Sequence, residues 1–207
     1  FLAVAAKIFA ALIILRAVLT DPLLNGIINY SGDGGSLIEK IHPATYGLII
    51  LLFVTLTRVR IVLNKVEMRL ILPLFLFIGL IFGLVILMQV MGRSVSVGYL
   101  IETYIAGCLI AFFMFAFRPE QRRMIGGAIL IYIVINALLA ILEKVAGQRL
   151  LPYPYAEISF RPTALTSHPL VIGLINAGAV VFILATRWRA WSKGLALVIV
   201  VMGTFAA

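Results

Sequence analysis

The residues best suited to chemistry sit together in FRPTALTSHPLVIGL, residues 160–174. Arg161 precedes Pro162 and His168 precedes Pro169, so both basic residues are pushed towards extended backbone, and Pro169 fits the first position of a helix. Ser167 or His168 would then cap that helix. A helix start presents free N–H groups and the positive end of its dipole, and an arginine seven residues before His168 adds a fork-shaped cation. Such a set would hold a phosphate or a diphosphate. Each residue also has a plainer reading. An outer-loop arginine snorkels to lipid headgroups, and a His-Pro pair caps a helix, a device that His42-Pro43 already uses without implied chemistry.

The elements that must position these residues belong to a membrane protein. Mean hydropathy is +1.16 and only 12% of the residues are charged, beyond what a soluble domain carries. A spanning helix needs about 20 apolar residues. Seven runs approach that length: 2–19, 42–57, 70–91, 97–117, 124–142, 169–186 and 194–207. They are continuously apolar, without the alternation of a lipid-facing strand, so the expected fold is all-α, a polytopic transmembrane bundle of about seven spanning helices. Residues 1–207 form a single transmembrane domain in this reading. The chain opens at Phe1 and stops at GTFAA inside an apolar run, which reads as part of a longer protein.

The net charge of +9 comes from short basic clusters between apolar runs, a pattern that orients helices and does not call for nucleic acid. One set of alternate connections holds ten Lys and Arg (Arg58, Arg60, Lys65, Arg69, Arg118, Arg122, Arg123, Arg187, Arg189, Lys193). The other holds five (Lys40, Arg93, Lys144, Arg149, Arg161), together with Asp21, Asp33, Glu39, Glu143 and Glu157. The first set is therefore expected on the cytoplasmic side. Trp188 and Trp191 would sit at the inner interface and Tyr153 and Tyr155 at the outer one. Two outer connections, 20–41 and 143–168, are long; the second, about 25 residues with Pro152, Pro154 and Pro162, exceeds a plain linker and points to function.

Other ionisable groups have structural explanations beside functional ones. Arg16, near the outer end of the first run, faces a substrate cavity or snorkels to headgroups. Glu102, with Gln89, Arg93 and Tyr104 close to the same turn, is expected to form a structural ion pair across it. Lys7 reaches the inner interface and Asn136 joins helices. NYSGDGGSLIEK, residues 29–40, lacks the spacing of a phosphate-binding loop and reads as a flexible connection. Cys108 is the one cysteine, so there is no disulfide framework. No HExxH, CxxC or GxSxG pattern occurs, which leaves metal hydrolysis, thiol exchange and serine-hydrolase chemistry unsupported; neither a metal nor a cofactor is expected.

The order of a basic inner connection, a helix, an outer loop ending in Arg161-Pro-Thr-Ala-Leu-Thr-Ser-His-Pro169, a helix and a short basic turn resembles the O-antigen ligase and polysaccharide polymerase family. That family carries an arginine, a small residue three positions on, and a His/Asn-Pro pair opening the next helix. Ala164 stands where glycine is common, and Leu170 where an asparagine often follows the proline. The resemblance covers the first half to two-thirds of a family member. It implies a metal-independent, glycosyltransferase-like enzyme of the bacterial inner membrane that works on the outer face. The donor would be a glycan on undecaprenyl diphosphate, and the acceptor a hydroxyl of another glycan, lipid A core or protein. Arg161 matches a donor-binding arginine, with His168 and Arg16 as further candidate substrate-binding residues. The family's catalytic histidine and further arginines belong to a later loop, so no catalytic residue is assigned within residues 1–207. A transporter or lipid-carrier flippase is the alternative, although polar residues here gather at helix ends and no internal repeat is visible. A purely structural membrane subunit is the third reading.

Overall fold

The structure, a computed structural model, describes residues 1–30, 36, 38–59, 65–93, 97–151, 160–166 and 168–207. The expectations for Asp33, Arg60, Pro152, Tyr153, Pro154, Tyr155, Glu157 and Ser167 lie outside these residues. Among the described residues all regular structure is helical. The elements are α1 (Leu2–Val18), α2 (Asp21–Asn25), α3 (Pro43–Arg58), α4 (Lys65–Val90), α5 (Val97–Leu100), a π-helical segment (Ile101–Ile105), α6 (Ala106–Ala116), α7 (Pro119–Ala146), α8 (Pro169–Ala185) and α9 (Ala190–Ala206).

Local chemistry explains where the helices start and stop. Pro43 and Pro169 open α3 and α8, and the preceding histidines cap them: His42 Nδ1 accepts from the Ala44 N–H at 3.0 Å, and His168 Nδ1 accepts from the Leu170 N–H at 3.2 Å. Pro119 opens α7, where the Gln121 side chain reaches back to the Arg118 N–H at 2.9 Å, the reciprocal half of a capping box. α7 runs 28 residues and ends where Gly147 takes φ +66°, a left-handed turn that a side chain would resist.

All seven apolar runs are helical, but the expected number of spans is not met by length. Two helices, α4 and α7, are long and apolar enough to cross a membrane, not seven. α3 and α8 have 16 and 17 residues, the 97–116 stretch breaks its register in the π segment, and α1 has 17 residues and carries Lys7 and Arg16. The physical reason lies in the caps. α3 and α8, which begin at a proline and stop at or just before a basic turn, are cut to about 25 Å, short of a hydrocarbon core of about 30 Å. α4, apolar on every side, leaves most of its surface exposed, as a lipid-facing helix does.

The chain divides into two compact units. The first comprises Phe1–Arg16 and Ile28–Ile125, and the second Ala17–Ile27 and Gly126–Ala207. In the first, Phe9 of α1 is fully buried against Phe113 and Phe117, with ring centroids 5.2 and 5.4 Å apart, and Phe75 of α4 meets Phe112 edge-on at 6.1 Å. Gly98 lets the start of the 97–116 stretch lie on Lys40: a Cβ there would come within 2.9 Å of the Lys40 carbonyl oxygen. In the second unit, Leu130, Ile133 and Ala137 of α7, Ala179 and Ile183 of α8, and Ala196 and Val200 of α9 form one buried three-helix core.

Candidate functional site

In the second unit one carboxylate joins the described ends of the outer loop. Glu143, only 2% exposed, accepts three backbone N–H groups: Leu150 at 2.6 Å on one oxygen, and Thr163 and Ala164, both at 2.8 Å, on the other. Thr163 and Ala164 present successive N–H groups to that oxygen, and Ala164 then takes φ +45°, the backbone that glycine adopts most readily, which turns the next N–H elsewhere. Asn136, also buried, accepts from the Leu165 N–H at 2.9 Å, so this amide joins α7 to the loop and not, as expected, helix to helix. Thr166 Oγ1 closes the turn by donating to the Thr163 carbonyl at 2.7 Å. From the exposed side, Arg149 donates to the Arg161 carbonyl through Nε at 3.2 Å and Nη2 at 2.8 Å, and its guanidinium lies 5.2 Å from the centre of the Phe160 ring.

Arg161, on this held backbone, lines an open cavity of ≈ 690 Å³. Lys144 lines the same cavity, and the rest of the wall comes from Phe160, the first turns of α8 with Leu170 and Leu174, and the end of α9 with Phe205. No acidic residue lines it among the described residues. Two cations facing an apolar wall suit a ligand with an anionic head and a greasy body.

His168 is brought into the same unit as the cap of α8, one of the two roles its spacing suggested. Its Nδ1 caps α8, Pro169 has no N–H, and the Val171 N–H bonds the His168 carbonyl at 3.0 Å. The N–H groups expected to cradle a phosphate at this helix start are thus already engaged. Arg16 belongs to the first unit, where it pairs with Glu102, donates to Thr45 Oγ1 at 2.6 Å and reaches the Glu102 carbonyl at 3.1 Å. Glu102 also accepts the His42 N–H at 2.7 Å. The ion pair expected across the tight turn to Arg93 is therefore made with α1 instead.

In the sequence Glu143, Lys144 and Arg149 read as ordinary charges of the outer connections. The available signal was a carboxylate one turn from the end of a long apolar helix, where an unpartnered charge is costly. No group of three or more His, Cys, Asp or Glu among the described residues could hold a metal ion. Comparison of the chain with protein-family models, curated proteins and solved structures gives no match.

Proposed function

We propose that the chain is part of a multi-pass enzyme of the bacterial inner membrane, a glycan ligase or polymerase that transfers a sugar chain from an undecaprenyl-diphosphate donor to an acceptor hydroxyl on the outer face. In this reading the seven apolar helices all cross or enter the bilayer, the shorter ones where it thins or where flanking basic residues snorkel. The single observation that supports it most is that Arg161 and Lys144 line one open, apolar-walled cavity with no acidic residue among the described residues that line it.

The chemistry follows from charge. The acceptor oxygen bonds to the anomeric carbon while the carbon–oxygen bond to the carrier breaks, and the diphosphate leaves with the electron pair. Guanidinium and ammonium groups already in place stabilise the charge that grows on those oxygens. The proton of the hydroxyl needs a base, a role that the resemblance gives to a histidine in a later part of the family's chain. Arg161 holds the head and the α8–α9 wall receives the lipid.

The test is complementation by the full-length protein in a cell lacking its surface polysaccharide. Arg161→Ala is expected to abolish glycan assembly at normal membrane levels of protein, and Arg161→Lys to lose most of it, because a point charge does not replace a bidentate fork. Normal glycan in both variants would end the donor-binding reading.

A further inference from the structure

We propose that Glu143 and Arg149 are positioning residues for anion binding: together they clamp the two ends of the outer loop and so set Arg161 on its cavity. This rests on the reading of that cavity as a diphosphate-lipid site.

The loop leaves α7 at Ala146 and returns to α8 at Pro169, and two side chains tie its two ends together. Glu143 works from the buried side. One oxygen holds Leu150 on the outgoing strand, and the other holds Thr163 and Ala164 on the returning one. Arg149 works from the exposed side through the Arg161 carbonyl and the Phe160 ring. Arg161 thus lies between a bond to its own carbonyl and two bonds just beyond it. Neither clamp residue lines the cavity, so neither is placed to touch a ligand there. Lys144 follows Glu143 directly at the end of α7, so the same carboxylate ties the backbone that carries Lys144 to the backbone just after Arg161.

An arginine on a loose loop would give up both rotamer and backbone freedom on binding, whereas one on a pinned backbone has already lost the backbone part. The buried carboxylate is suited to this work. Three N–H donors satisfy it without a cation, so it competes neither for the Arg161 guanidinium nor for the ligand.

The experiment is a double-mutant cycle on the full-length protein in nanodiscs, with farnesyl diphosphate as probe and its dissociation constant as readout. Glu143→Gln and Arg149→Ala are each expected to weaken binding on the order of tenfold in the wild-type background and to have little further effect on Arg161→Ala. Glu143→Asp, which keeps the charge, should retain part of the affinity. A merely structural role would lower the yield of folded protein or weaken binding equally in both backgrounds, and either additive effects or unchanged affinity would overturn the proposal. Because Arg149 is on the surface, Arg149→Ala remains informative should Glu143→Gln fail to fold. If Arg161→Ala itself leaves probe affinity unchanged, the diphosphate reading of the cavity fails; if Arg161→Ala weakens binding and the clamp variants do not, only the clamp fails.

Discussion

The Arg16 guanidinium pairs with the Glu102 carboxylate, 86 positions further along the chain. The pair is largely buried, the side chains being 26% and 10% exposed, and Glu102 also takes the backbone N–H at the start of α3. Three elements of the first unit, α1, α3 and the π segment, are thereby joined through one carboxylate.

Breaking that pair from one side should therefore be expensive. Arg16→Ala and Glu102→Ala are each expected to lower stability by about 3 kcal/mol, since each leaves a buried charge uncompensated. Arg16→Met combined with Glu102→Leu should recover much of the loss. Thermal unfolding in detergent micelles checks this; additive losses in the double variant would show that the two groups do not act as a pair.

Ala164 supplies a backbone test. At φ +45° and fully buried, it tolerates neither a branched side chain nor added volume. Ala164→Val is expected to cost at least about 2 kcal/mol, whereas Ala164→Gly should change stability by less than about 1 kcal/mol, because relief of the left-handed backbone offsets the lost methyl contacts. A Val variant as stable as the parent would contradict the turn described for 163–166.

The capping role of His168 separates it from a ligand-binding one. His168→Asn keeps a side-chain acceptor for the Leu170 N–H and should retain both stability and glycan assembly in the complementation assay. His168→Ala should cost about 1 kcal/mol of stability. Loss of glycan in the Asn variant at unchanged stability would assign His168 to the ligand instead.

Asn176 is a fully buried amide on α8, and neither its oxygen nor its nitrogen has a hydrogen-bond partner among the described residues. Replacement by leucine keeps the number of side-chain heavy atoms while removing two unsatisfied polar atoms, and is expected to raise stability by about 1 kcal/mol after the cost of its greater bulk. A lower melting temperature for Asn176→Leu would mean that the amide is hydrogen-bonded in the folded protein.

The helices were legible in the residues because a helix satisfies its own backbone. An apolar run between basic or proline-containing turns has few other ways to pair its N–H and C=O groups, and the His-Pro caps mark the starts of α3 and α8 within a residue. Arg161 stood out for a similarly local reason, as a cation beside a proline in a long connection. The count of membrane-length helices was not legible, because apolar residues at the rim of a run need not join a helix that is capped earlier.

By itself, then, the sequence determined an all-helical chain of membrane-like composition, with its distinctive cation just before α8. Only the tertiary structure decided which polar groups meet. Glu102 could have answered Arg93 a few residues away but pairs with Arg16, and Glu143 takes N–H groups 20 and 21 positions downstream. Partners of buried charges are chosen by distance in space and by which groups burial has stripped of water, and neither is written in their spacing along the chain.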